Sequence, residues 1–284
     1  MLGLNLGLGL NNNKYIRYIG PLDDLHISND AVFIFSPYKR LVNSYTGNLV
    51  KVQRTSDNES QWFGYDSNGD LDTSSLLEFC GNSDGLVDEI SNQFNSSYNA
   101  VQTTQGYKPK IVSSGVLETN GLLFDGTDDF MNVEKYSDIN ILDHPFSIFA
   151  QGTNNSVSTG YYLGLNDDGS DSTYALYTTT SPQVLNFKLN TTTCTLAYTA
   201  EIQENILCSY DDGGTSAQKI RSNSGTGSTN NSSTLNEHSF FNIGCRSTAV
   251  DNSTHSYFFN GYIKTIIIFN TNQSDNYSNL VNKL

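Results

Sequence analysis

The chain has 284 residues and carries 15 Lys and Arg against 29 Asp and Glu, a formal net charge of −14 at pH 7. This charge repels phosphate backbones and anionic membrane surfaces, so we expect neither a nucleic-acid partner nor a membrane partner. The 17 Tyr and 15 Phe favour strands, and the many Asn, Gly and Ser residues favour turns, which together predict an all-β protein.

The first predicted element is an extended N-terminal strand. In the stretch MLGLNLGLGL, leucine occupies every second position: Leu2, Leu4, Leu6, Leu8 and Leu10. A strand places all five on one face, and an isolated strand is not stable in water. One interpretation makes it the first strand of the domain's own sandwich or a disordered tail. The other, which we adopt, makes residues 1–14 an anchor on a larger assembly.

Residues 15–30 are predicted to be a connector, and runs at 31–35 and 49–54 are predicted strands. The stretch DTSSLLEFCG predicts a short helix, with Asp72 as its N-cap and Gly81 just past its end. At the N-terminus we expect no secretory signal peptide, because this segment lacks a basic region and a continuous apolar run.

After residue 100, strand-like runs recur every 10–15 residues between Asn, Gly, Ser and Asp turns. This spacing predicts a two-sheet sandwich or jelly roll with one or two short helices. Residues 221–239 (RSNSGTGSTNNSSTLNEHS) are polar and of low complexity, so we expect a long exposed loop there. A final short helix is predicted with Ser274 as its cap, and the four cysteines are expected to be buried thiols.

A series of short motifs occupies the first half of the chain: YTG at 45–47, GDLDT at 69–73, NAVQ at 99–102 and FDGTDD at 124–129. In kind and order they resemble the concanavalin A-like domain of the arabinofuranosidase B family, which also occurs in bacteriophage structural proteins. The stretch FFNGYIKTIIIFN near the C-terminus is similar to the closing hairpin of laminin-G and concanavalin A-like domains. The resemblance implies one concanavalin A-like jelly roll over residues 31–284.

The chain departs from that family at residues 90–97. Where the family has WYDQSGNG, this chain has ISNQFNSS, so the acidic residue is replaced by Asn92, which cannot titrate. We take this departure as an eroded catalytic motif and predict that the chain is not an enzyme, with no catalytic residue. The alternative is a glycoside hydrolase resembling the arabinofuranosidases.

The resemblance and the leucine anchor together predict a bacteriophage virion protein, a head fiber, decoration or tail appendage assembled in the host cytoplasm. Its five N-terminal leucines would dock on other virion proteins by strand addition. Appendages usually repeat around a symmetry axis, so we expect a homo-oligomer such as a trimer.

The displayed domain is expected to bind a host-surface glycan through aromatic side chains on a rigid sheet. The candidates are Trp62, Tyr161, Tyr162, Tyr174 and Tyr177. The alternative interpretation makes these ordinary strand residues. No cofactor and no metal site are predicted. Residues 66–72 and 167–171 have oxygen ligands at calcium-loop spacing but are interpreted as turns.

Overall fold

The computed structural model describes residues 18–134, 145–155, 158–166, 174–180, 183–189, 192–211, 217–230, 240–247 and 252–284. Strands dominate these residues, so the predicted all-β class is confirmed, as a β-sandwich of jelly-roll type. The anchor predicted at residues 1–14, with its five leucines, and the candidate loop at 167–171 lie outside the described residues.

The described residues form strands β1 to β21 and helices α1 to α3. The strands are β1 (Ala31–Phe35), β2 (Val50–Arg54), β3 (Ser60–Phe63), β4 (Gly85–Ile90), β5 (Ala100–Val101), β6 (Lys110–Ser113), β7 (Val116–Leu117), β8 (Leu122–Asp125), β9 (Met131–Glu134), β10 (Phe146–Asn154), β11 (Gly160–Asn166), β12 (Tyr174–Thr180), β13 (Gln183–Leu189), β14 (Thr192–Ala197), β15 (Gln203–Tyr210), β16 (Gln218–Ser222), β17 (Gly225–Thr229), β18 (Phe240–Ile243), β19 (Arg246–Ser247), β20 (His255–Ser256) and β21 (Asn260–Phe269). The helices are α1 (Pro21–Asp24), α2 (Thr73–Cys80) and α3 (Tyr277–Lys283). The longest of them has eight residues, so no described helix could span a bilayer.

The strands pair into two antiparallel layers. In the first sheet the order is β17, β16, β15, β10 and β21, and the other edge of β21 pairs with both β8 and β1. In the second sheet the order is β14, β13, β12, β11, β18, β9, β5, β4, β2 and β3. Strand β6 pairs with β4 and β8 and so joins the two layers along one side.

The main core lies between the two sheets, as the alternation of strand side chains requires. Phe33 of β1 meets Phe241 of β18 edge to face, with ring centroids 5.1 Å apart. Phe146 of β10 meets Phe187 of β13 in the same way, at 6.2 Å. These contacts join one sheet to the other, and the residues that make them are fully buried.

A second core covers the outer face of the first sheet. Ile34 and Ile267 point away from the main core and pack beneath α1 and α3, which contribute Leu22 and Leu280. Both faces of the sheet formed by β1, β21, β10 and β15 are therefore buried. The run IIIF at 266–269 has no polar alternation because its side chains enter one core or the other.

The second sheet has one covered face and one partly open face. Its outer face carries a line of direct cross-strand neighbours that we call the transverse row: Trp62, Lys51, Glu89, Val101, Asn132, Asn242 and Gly164. The flanking residues Met131 and Val133 point into the core, which fixes Asn132 on the outer side.

The predicted strands at 31–35 and 49–54 are confirmed as β1 and β2, and the predicted helix is α2. A side-chain oxygen of Asp72 accepts a hydrogen bond from the Ser75 N–H at 3.1 Å, as an N-cap does. Gly81 ends the helix with φ +56°.

Two local predictions are wrong. Ser274 does not cap the last helix: it begins a 3₁₀ turn over Ser274–Asn276, and α3 starts at Tyr277. The loop predicted over residues 221–239 is replaced at 221–230 by the β16–β17 hairpin, and residues 231–239 lie outside the described residues. Pairing of β17 with β16 supplies the backbone hydrogen bonds, and Gly227 lets the β17 backbone approach the Thr195 carbonyl closely.

The cap of α2 gives a stability prediction. We expect Asp72→Ala to lower the free energy of unfolding by about 1 kcal/mol, because the first turn of the helix loses the acceptor for its free N–H groups. Glu78→Ala removes an exposed carboxylate from the same helix and is the control, expected to change stability by less than about 0.5 kcal/mol. Urea unfolding measures both, and equal losses in the two variants would contradict the cap assignment.

Candidate functional site

A groove of about 600 Å³ lies on the outer face of the second sheet, above the centre of the transverse row. We call it the carboxamide groove, and it is lined by Glu89, Ser96, Ser97, Asn99, Val101, Gln102, Thr103, Phe130, Asn132, Asn252 and His255. Most of these side chains carry amide or hydroxyl groups. Glu89, Val101 and Asn132 form its floor because the register of β4, β5 and β9 places them side by side.

One wall of the groove is a 3₁₀ turn over Ser96–Tyr98. Asn95 holds this turn by accepting a hydrogen bond from the Ser97 N–H at 3.0 Å. Asn99 follows it, donates from Nδ2 to Glu89 Oε1 at 2.7 Å and accepts from the Asn92 N–H at 2.8 Å. The Glu89 carboxylate is thereby fixed in orientation at the edge of the groove.

Asn92 itself is a structural residue. It is 0% exposed, and its Oδ1 accepts hydrogen bonds from the Ile34 N–H at 3.0 Å and the Phe94 N–H at 3.1 Å. The neighbouring Gln93 is also buried and accepts from the Leu41 N–H at 2.7 Å. The acceptor at position 92 therefore organises the backbone of two segments.

The opposite wall is aromatic. The Phe130 ring stacks on the His255 ring, with centroids 4.0 Å apart and planes 27° apart. Burial lowers the pKa of His255, so the ring is neutral at pH 7. His255 belongs to the β19–β20 hairpin, and the chain before it is fixed by Asn252, which exchanges hydrogen bonds with Asn242 of the transverse row at 2.8 and 3.3 Å.

Two polar atoms of the groove lack a hydrogen-bond partner within the described parts of the chain. They are Oδ1 of Asn132, on the floor, and Nε2 of His255, on the aromatic wall. An unsatisfied buried acceptor or donor costs about 1–3 kcal/mol. A bound molecule with hydroxyl groups would relieve this cost.

Sequence reasoning missed both residues, because only the strand register brings position 132 beside Glu89 and only the β19–β20 hairpin brings His255 to Phe130.

The five predicted glycan-binding aromatics do not form one site. Trp62 is half-exposed and lies in the transverse row, two strands from Glu89, which is about 10 Å at the usual strand spacing. Tyr161 stacks on Tyr177, with centroids 4.8 Å apart, farther along the same face. The side chain of Tyr174 lies outside the described residues.

Tyr162 was predicted as a glycan contact, and the structure contradicts this. Its ring is 1% exposed and packs 4.4 Å from the Phe259 ring. The cause is a register shift between Tyr161 and Leu163, which turns Tyr162 into the core. A ring enclosed in this way offers no face to a ligand.

Three carboxylates lie within 4.8 Å of one another in the turn between β8 and β9: Asp125, Asp128 and Asp129. Their hydrogen bonds are those of a turn, since Asp125 accepts from the Thr127 N–H at 2.7 Å and Asp129 accepts from the Asp125 N–H at 2.9 Å. Burial, and then the charge of Asp125, raises the pKa of Asp129 to about 7.

The calcium-spaced segment at 66–72 also behaves as a turn. Asp66 accepts from the N–H groups of Asn68 and Asp70, at 2.8 and 3.1 Å. Asp72 is engaged as the cap of α2. The side chains in this segment thus serve the backbone, as an Asp-rich turn usually does.

No protein-family model matches the chain, and no curated protein matches its sequence. Solved structures do match. An arabinofuranosidase complexed with arabinofuranosyl-α-1,2-xylobiose superposes with a TM-score of 0.70 and 15% identity over 93% of this chain. A GH54 α-L-arabinofuranosidase soaked with a cyclic sulfate inhibitor gives 0.63 and 16% over the same share. A sialidase from Trypanosoma rangeli gives 0.49 and 12%, over 88% of this chain and 35% of the sialidase.

This chain has the fold of the arabinofuranosidases. It spans 64% of the length of the two that it matches. The prediction that the chain is not an enzyme is contradicted by this similarity, because the fold over 93% of the chain is a glycoside-hydrolase fold. The physical basis of that prediction fails as well, since position 92 is buried and bonded to backbone.

The raised pKa of Asp129 predicts a pH-dependent stability. An unfolded Asp has a pKa of about 3.9, so between about pH 4 and pH 7 the folded state holds a proton that the unfolded state has lost. The free energy of unfolding contributed by Asp129 therefore falls as the pH rises through this window and is constant above it. Asp129→Asn keeps an acceptor for the Asp125 N–H and removes the titration.

Urea unfolding between pH 4.5 and 8 measures the stability of both proteins. We expect the wild type to lose stability relative to Asp129→Asn as the pH rises. Asp84→Asn is the control: hydrogen bonding to Lys110 lowers the pKa of Asp84, so its stabilising effect is lost only below the window. A pH profile for Asp129→Asn that runs parallel to the wild type would contradict the assignment.

Proposed function

We propose that this protein binds a neutral saccharide in the carboxamide groove. The observation that carries the proposal is a groove of amide and hydroxyl side chains in which Asn132 Oδ1 and His255 Nε2 lack partners within the described residues. Sugar hydroxyls donate and accept hydrogen bonds, as these groups require. The finer classification of the domain as concanavalin A-like belongs to the same proposal.

The charge of the groove favours a neutral ligand. Glu89 is the one acidic residue among the described residues that line the groove, and these include no Lys or Arg. A uronate or other acidic sugar would meet this carboxylate in a protein of net charge −14. The stacked Phe130 and His255 supply the apolar surface that a sugar ring needs on one side.

The fold supports the choice of ligand to test first. One arabinofuranosidase with this fold was solved with arabinofuranosyl-α-1,2-xylobiose, so arabinose-substituted xylan fragments are the first probes. We expect Asn132→Ala to weaken their binding at least fivefold, because an acceptor on the groove floor is lost. Since Oδ1 of Asn132 has no partner in the described structure, the variant should keep its thermal stability.

Isothermal titration calorimetry measures the affinity, and Asn279→Ala, an exposed change on α3, is the matched control. Equal affinity in Asn132→Ala and the control would contradict the groove as the site. Incubation with 4-nitrophenyl α-L-arabinofuranoside belongs to the same experiment, since release of nitrophenol would show that the protein also cleaves the glycosidic bond.

We also propose the finer role that the sequence predicts, a bacteriophage virion protein that displays this domain as a homo-oligomer. Support comes from the sequence alone: leucine alternates at residues 2–10, and in an extended strand these leucines would form an apolar face that needs a surface to cover it. In this role the partners are other virion proteins, and the protein assembles in the host cytoplasm.

Deletion of residues 1–13 tests the anchor. We expect purified particles to lose the protein, as measured by its copy number in mass spectrometry, while the deleted variant keeps the saccharide affinity of the full chain. A variant with Leu4→Ser, Leu6→Ser and Leu8→Ser should behave like the deletion, because the apolar face is lost and the length is kept. Unchanged copy number in both would discard the anchor.

A further inference from the structure

A second groove, of about 400 Å³, lies on the outer face of the first sheet, where β15, β16 and β17 meet the 3₁₀ turn over Ser274–Asn276. Cross-strand pairing places Lys219 between Ser209 and Ser228, and Arg221 between Leu207 and Thr226. Lys219 and Arg221 are two residues apart on one strand, so both side chains point to the same face, about 7 Å apart.

The two cations are notable in a chain that carries 15 basic residues against 29 acidic ones. Two like charges this close repel each other unless an anion lies between them. Asp275 is the one acidic residue among those that line the groove, and its side chain is exposed at the rim. The charged side chains on the floor of the groove are therefore both basic, opposite in sign to the net charge of the protein.

Arg221 is held in place before any ligand arrives. Its guanidinium carbon lies 4.4 Å from the centre of the Tyr277 ring, and the Tyr277 hydroxyl donates to the Asn205 carbonyl at 2.9 Å. A stacked guanidinium presents its planar donors in a fixed direction, which suits a two-point contact with a carboxylate. Little side-chain entropy is then lost on binding.

We propose that this groove, defined by Lys219, Arg221, Ser209, Ser228 and Ser274, binds a saccharide that carries a carboxylate, as uronic acids do. Arg221 and Lys219 hold the carboxylate, and the serine hydroxyls contact the hydroxyl groups of the sugar. This site is separate from the carboxamide groove: it lies on the other sheet and has the opposite charge. The protein would thus bind a neutral and an acidic saccharide on opposite faces.

Titration calorimetry of the full chain tests the proposal. The ligand is tetragalacturonate, and a neutral galactose tetrasaccharide is the uncharged control ligand. We expect tetragalacturonate to bind at least tenfold more tightly than the neutral chain, and more weakly as salt rises from 50 to 200 mM. Lys219→Gln should weaken tetragalacturonate at least fivefold and leaves the Arg221–Tyr277 stack in place. Equal affinity of the wild type and Lys219→Gln for tetragalacturonate would overturn the proposal.

Two further variants separate this site from others. Lys51→Gln combined with Lys264→Gln removes two positive charges elsewhere and should leave the affinity for tetragalacturonate within twofold of the wild type. Asn132→Ala, in the carboxamide groove, should also leave it unchanged. If either weakened tetragalacturonate as much as Lys219→Gln does, binding would depend on overall charge or on the other groove, and the proposal would be wrong. Failure of the arabinose-substituted xylan fragments to bind would contradict the carboxamide groove alone.

Discussion

The central strands of the first sheet are buried on both faces, and the arrangement of the other elements follows from this packing. The β1–β21–β10–β15 layer packs one face against the second sheet and the other beneath α1 and α3. The apolar side chains of both cores are used in this packing. Outside the two cores, two sheet surfaces of the described residues carry the grooves. These are the outer face of the second sheet, where the carboxamide groove lies, and the β15–β16–β17 edge beyond α3, where the groove with Lys219 and Arg221 lies.

The elements that the sequence predicts are those with a local cause. Strand β1 is a run of five apolar residues, and α2 has an Asp cap at one end and a glycine at the other, so each is decided by residues close in the chain. The motifs that resemble the arabinofuranosidases can be recognised in the sequence because their residues hold local backbone structure. Asp72 caps a helix, Gln102 accepts from the Thr104 N–H, and Asp125 closes a turn, so these residues specify the scaffold.

The features that the sequence does not predict depend on register and on distant contacts. The carboxamide groove joins residues from 89 to 255, and Asn132 reaches its floor only through the pairing of β9 with β5. Tyr162 enters the core because of a one-residue register shift that no composition signal marks. The β16–β17 hairpin is polar and ends the sheet with β17, beyond the strands that the two cores bury. The sequence analysis interprets Asn92 as the replacement of a catalytic acid, whereas its hydrogen bonds to two backbone N–H groups give it a structural role.

We propose that the outer face of the second sheet is the surface that binds a saccharide. Hydrogen–deuterium exchange with and without arabinofuranosyl-α-1,2-xylobiose tests it most directly, because the method reports on every backbone amide at once. If the saccharide binds there, we expect slower exchange at residues 95–103, 130–132 and 252–255, and unchanged exchange in α3 and the β16–β17 hairpin. Protection that spares these three segments, while appearing elsewhere on the protein, would contradict the account.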